Sequence, residues 1–206
     1  MDGVFMKKLL KVATFLLVIY LVIWCGTVLS DRKMLNDNLI RLHVVANSDS
    51  EEDQALKLKV RDAVVEKLQE TMESFPTMDE ARQYLQDHLP ELEAFVNQVI
   101  RELGFAETAT VSVDRETFDT REYDTFTLPA GYYEALRITI GEGQGKNWWC
   151  VVFPSLCVGT TTEDFADTAV GAGFSDTLTE TLQEEPEIRF FLLDLLGQVE
   201  NFFRSL

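Results

Sequence analysis

The run VATFLLVIYLVIWCGTVLS, Val12 to Ser30, holds nineteen residues without a charge. At a rise of about 1.5 Å per residue, a helix of this length nearly spans a hydrocarbon core of about 30 Å. Lys7, Lys8 and Lys11 precede it and a large polar segment follows. By the positive-inside rule, residues 31 onward face the outside, in an oxidising compartment. Signal-peptide cores commonly run to about 7 to 15 residues. Residues 1–30 are therefore read as a signal peptide or membrane anchor; the length favours the anchor, and cleavage after Ser30 stays open. Cys25 follows Trp24, where a lipidation site needs a small residue, so it is assigned to the apolar segment.

The rest of the chain is long enough for one domain and strongly acidic. Removing the first thirty residues takes three Lys and one Asp from 18 basic and 35 acidic residues, leaving 15 against 34 and a net charge of −19. Such a surface repels nucleic acid and anionic headgroups, which points to proteins or cations as partners.

Hydropathy patterning sets the order of elements. LIRLHVVAN, Leu39 to Asn47, alternates as a strand, with Ile40, Leu42 and Val44 on one face and Arg41, His43 and Val45 on the other. Leu56, Val60, Val64, Leu68 and Met72 then form one stripe of a helix. A second helical region follows Pro76, opened by a capping box from Thr77 to Glu80; Pro90 kinks or restarts it, and Gly104 ends it. ATVSVDRETF, EALRITI and WWCVVF read as strands, the last two joined as a hairpin by the glycine-rich GEGQGKN. From Thr161 to Glu187 there are eight acidic residues and no Lys or Arg, the composition of a solvated connector with at most a short helix. A last helix starts near Pro186, with Ile188, Phe191, Leu195, Val199, Phe202 and Leu206 in a stripe.

The expected fold is α+β: a two-layer sandwich of a mostly antiparallel sheet of about four strands with two helices on one face. A membrane helix precedes it and a C-terminal helix follows. The expected divisions are 1–30, an exported domain at 31–160, an acidic connector at 161–187 and an amphipathic helix at 188–206.

Chemistry-bearing motifs are few. Asn47, Asp49, Glu51 and Asp53 have the every-second spacing of a calcium loop, but the sixth position from Asn47 is Glu52 where glycine is needed and the twelfth is Leu58 where a bidentate acid is needed. Helix capping explains the acids better: Ser48 or Asp49 as cap, Glu51 or Glu52 completing the box. His43 has no sequence motif supplying a nucleophile, and His88 sits on a polar face. No metal site, cofactor or small-molecule substrate is expected, and the chain is read as no enzyme.

Cys150 and Cys157, outside the membrane, read as a disulfide rather than as two buried thiols. Seven extended steps would separate their Cα atoms by about 23 Å against roughly 4.4 to 6.8 Å in a disulfide, so the chain must fold back near Pro154-Ser155. Trp148 and Trp149, adjacent in a strand, point to opposite faces, and one indole is left for an interface unless both faces are covered.

LIRLHVVANSDSEEDQALKLKVRDAV and LPAGYYEALRITIGEGQGKNWWCVVFPSLC, behind an N-terminal membrane segment, resemble the stage II sporulation protein R family of endospore-forming bacteria. The matching positions are His43, Asn47, Ser48, Asp49, Asp53 and Gln54, then Pro129, Gly131, Arg137, Gly141, Glu142, Gly143, Asn147, Trp148, Trp149, Cys150, Pro154 and Cys157. The resemblance implies a protein made in the forespore and exported to the intermembrane space. There it would activate a membrane-embedded aspartic peptidase that processes the pro-form of the mother-cell sigma factor E. It transfers no catalytic residues and does not extend past Cys157. On that footing His43, Asn47, Asp49, Arg137, Trp148 and Trp149 are the expected partner-binding residues. The alternative is an exported hydrolase or cell-wall-modifying enzyme using His43 as base with Asp49 or Glu142. A lesser reading has Pro186 to Leu206 dock on a membrane or in a partner's groove, an idea that lapses if the helix packs fully on the domain.

Overall fold

IRLHVV is buried at all six positions, a pattern that suits a strand covered on both faces and flanked on both edges. In the computed structural model, which describes residues 3–157, 162–183 and 187–205, this strand β1 (Ile40–Val45) lies at the centre of the sheet. The helix before it, α1 (Gly3–Asn38), runs unbroken through Ser30 and is long and apolar enough from Phe5 to cross a membrane.

After β1 come α2 (Glu51–Glu73), α3 (Met78–Asp87) and α4 (Leu89–Glu102). Thr77 caps α3 through the Glu80 amide, and Pro90 in the first turn of α4 restarts the helix. Then follow β2 (Ala109–Phe118), the short strands β3 (Arg121–Glu122) and β4 (Thr127–Leu128), β5 (Gly131–Ile140) and β6 (Asn147–Phe153). The main sheet has the order β2-β5-β1-β6; β1 is parallel to β5, and the other two pairings are antiparallel. The α+β class and the mostly antiparallel four-stranded sheet thus agree with the sequence.

The expected β5–β6 hairpin does not form. β1, apolar enough to be buried on both sides, takes the place between them, so the glycine loop crosses the end of β1. It is tied there by Gln144 N to Asn47 O (3.1 Å) and Gly145 N to Ala46 O (2.9 Å). The close approach demands glycine: a Cβ on Gly145 would lie 2.2 Å from Ser48 O, and Gly141 adopts φ +56° with Asn47 against it.

Ile40, Leu42 and Val44 face α2, α3 and α4 in one core with Leu56, Val60, Val64, Val96 and Ile100. The other sheet face is also covered, by the end of α1 and by α5 (Thr162–Gly171), α6 (Asp176–Gln183) and α7 (Ile188–Arg204). The expected helices on one face are therefore joined by a second helical layer, and the described residues 162–183 of the acidic stretch are not a solvated connector. Phe165, Ala169, Leu178 and Leu182 are fully buried, because apolar residues four apart give each short helix an inward side despite the acidic composition. The expected helix start at Pro186 lies outside the described residues, as does Leu206.

Candidate partner-binding face

Register brings three of the six expected residues together. His43 pairs with Arg137 on one side and Trp149 on the other, so all three side chains stand in a row on the α7-side face of the sheet. The row is joined by Glu116 from β2, whose carboxylate meets His43 Nδ1 (2.7 Å) and accepts from an Arg137 guanidinium nitrogen (3.2 Å). Burial alone would push the Glu116 carboxyl up; the hydrogen bond and charge of His43, then those of Arg137, outweigh it and hold the group below its ordinary value.

His43 stacks on Trp149 at 5.7 Å between ring centres, and the Arg121 guanidinium lies over that indole, 3.6 Å from its ring centre. Beneath the row, Arg41 is fully buried, 4.2 Å over the Phe118 ring and donating to Tyr123 Oη (2.7 Å). A cavity of about 350 Å³ opens beside Trp149, lined by Arg121, Tyr123, Phe126, Leu156 and Cys157. The Cys150–Cys157 disulfide is present with Cα atoms 5.3 Å apart, and Leu156 N bonds back to Val151 O (3.2 Å), which closes this end of the β6 edge.

Asn47 and Asp49 are engaged internally. Asn47 donates to Asp53 (3.0 Å) and accepts from Glu142 N (3.0 Å), while Asp49 accepts from Lys146 N (2.7 Å). The helix cap is Ser50, which accepts from Asp53 N (3.1 Å), and not Ser48 or Asp49. Ser48 instead donates to the Asp53 carboxylate; that bond, against the effect of burial and with help from Asn47 and Ser50, lowers the Asp53 pKa. Gln54 and Lys57 complete the clasp, with Gln54 Nε2 on Ser48 O (2.8 Å) and Lys57 Nζ on Lys146 O (2.9 Å). The segment from Asn47 to Lys57 thus locks the glycine loop onto the start of α2. Trp148 points to the opposite face, with Arg61 4.2 Å over its ring, as the strand alternation predicts.

The hydrolase geometry expected from sequence is not formed: the carboxylate beside His43 is Glu116, whereas Asp49 is held by the loop and Glu142 is exposed. No cluster of three or more potential metal ligands occurs among the described residues. Glu116, Arg121 and Arg41 were missed by sequence reasoning. Alternation could have found Glu116, since Val111 and Val113 facing one core send Ser112, Asp114 and Glu116 to the other side.

A family model described as stage II sporulation protein R matches residues 36–163, an interval that contains the whole row, the clasp and the disulfide. This chain belongs to the stage II sporulation protein R family. The protein called stage II sporulation protein R in Bacillus subtilis (strain 168) is 40% identical over 124 residues. The match covers 60% of this chain and 55% of that relative, so the chain spans little more than half of its length. No solved structure matches. Membership supports a sporulation role; α6, α7 and nearly all of α1 lie outside the matched interval.

Proposed function

We propose that this protein is a sporulation signal, exported from the forespore, whose domain acts in the intermembrane space. There it activates a membrane-embedded aspartic peptidase that processes the pro-form of the mother-cell sigma factor E. The observation that carries the reading is the His43–Arg137–Trp149 row. It lies within the family-matched interval, runs across the central strands β1 and β5 to the edge strand β6, and its Arg137 side chain is 39% exposed. Activation follows if the domain binds the active state of the peptidase more tightly than the inactive one.

In this role Arg137 supplies the accessible charge, with Glu116 fixing its direction, and the Arg121–Trp149 stack forms the rim of the contact. Trp148 borders the surface from the α2 side. Asn47 and Asp49 act indirectly, by holding the glycine loop beside the row.

The test is coexpression of the full chain with the peptidase and the pro-sigma factor, scoring the cleaved fraction. Cleavage should rise with the wild-type chain and fall when Arg137, Trp148 and Trp149 are replaced by Ala in a chain that still folds. No rise with the wild type rejects the signalling role; an unchanged rise with the triple variant rejects this surface.

A further inference from the structure

Helix α7 packs only one side on the domain. Phe190, Leu193 and Gly197 are buried, whereas Ile188, Phe191, Leu195, Val199 and Phe202 recur three and four residues apart on the opposite side. These five are 42% to 74% exposed, and Phe203 beside them is 68% exposed. An unbroken apolar stripe of this kind marks a contact surface.

Two observations bear on what covers it. Arg189 donates to Asp31 (Nε, 2.9 Å), the first charged residue after the apolar run, and Arg32 pairs with Glu200. These bonds fix α7 at the level where α1 would leave the bilayer. The stripe also begins beside the apolar run: Ile188 lines a groove with Tyr20, Leu21 and Trp24, residues about two to three turns back from Asp31, and the other side of the groove carries Glu180 and Glu187.

We propose that the outer face of α7 lies in the interface of the bilayer that α1 enters, as a second, in-plane membrane contact. The chemistry fits a lipid surface without a demand for anionic headgroups. α7 carries two basic and two acidic side chains, Arg189, Arg204, Asp194 and Glu200, and each is engaged. Arg189 is on Asp31, and Glu200 is shared by Arg32 and Arg204. Asp194 accepts from Ala130 N (2.8 Å) and also meets Thr120 and Gln198. The helix therefore turns apolar rings toward lipid while its charges are satisfied sideways and inward, which is the division an interfacial helix requires. The stripe lies beyond the family-matched residues, and the inference is independent of the signalling role.

The test uses the full chain in phosphatidylcholine nanodiscs with Cys25→Ser, the disulfide left intact, and a fluorophore on Phe191→Cys or Phe202→Cys. Glu66→Cys, on the exposed side of α2, is the reference. The α7 labels should be quenched by spin-labelled acyl chains and shielded from aqueous iodide, placing them about 5 to 10 Å below the headgroup boundary. The reference label should behave oppositely. Labels on α7 as open to iodide as the reference would overturn the proposal. So would labels shielded from both quenchers, the signature of burial against protein or a second copy of this chain.

Discussion

Replacing Gly197 with Ala gives a test in which the sign of the effect decides the matter. A Cβ at this position would stand 1.7 Å from the Ala130 carbonyl oxygen and 2.3 Å from its carbon. Ordinary carbon contacts lie at about 3.5 to 4 Å, so α7 or the turn before β5 must retreat by roughly 2 Å. The obstacle is backbone and cannot rotate away. Retreat uncovers Phe190 and Leu193, whose burial contributes about 1.5 to 3 kcal/mol each. Glycine to alanine within a helix returns about 1 kcal/mol. The net loss is about 2 to 5 kcal/mol, or a fall in Tm of roughly 4 to 20 °C for a chain of this size. Thermal unfolding of the detergent-solubilised full chain, followed by tryptophan fluorescence, measures it; hydrogen exchange in α7 should accelerate as well. If α7 did not press on the turn, only the helix gain would remain and Tm would rise by about 2 to 4 °C. A rise would refute the packing described for this helix.

Removing the disulfide by Cys150→Ala and Cys157→Ala should cost about 2.5 kcal/mol, from the entropy of an eight-residue loop. Reductant should lower the Tm of the parent and leave that of the double variant unchanged; equal sensitivity of the two would contradict the bridge. Glu116 has a folded pKa below its ordinary value, so its stabilisation is fully present above the unfolded carboxyl pKa of about 4.3 and is lost as pH falls through the lowered folded one. Glu116→Gln should therefore flatten the acid side of the stability–pH curve while Arg137→Ala flattens it in part. Superimposable acid limbs for the parent and Glu116→Gln would show that the His43–Glu116–Arg137 link contributes nothing.

Much of this fold was legible because burial follows period. The alternation of β1, the four-residue stripe of α2 and the restart at Pro90 all reappear. Periodicity gives the face of a residue but not its strand's neighbour, which is why GEGQGKN reads as a hairpin although β1, from the start of the domain, lies between β5 and β6. Composition misleads over 162–183: acids dominate the stretch, while the inward pairs Phe165–Ala169 and Leu178–Leu182 are too short to dominate a window. In the site, alternation put His43, Arg137 and Trp149 on a common side once the register was known. Alternation also puts Glu116 on that side, but its link to His43, diagonally across β5 to β1, depends on strand order and register rather than on any spacing along the chain. Asn47 and Asp49 are polar residues at a strand end, yet both bond to a loop whose position only the crossover reveals.

α1 ends at Asn38 and the central strand begins at Ile40, with Leu39, fully buried, between them. The link has no slack. Eight helical residues from Asp31 to Asn38 raise the start of β1 by about 12 Å, and the domain has no tether on which to swivel. With α1 seated in a bilayer, the His43–Arg137–Trp149 row is presented at one height and one tilt. A flexible glycine–serine segment inserted at Leu39 would therefore loosen more than this presentation, since Leu35 and Leu39 pack in the domain's second core and Asp31 and Arg32 are paired with α7.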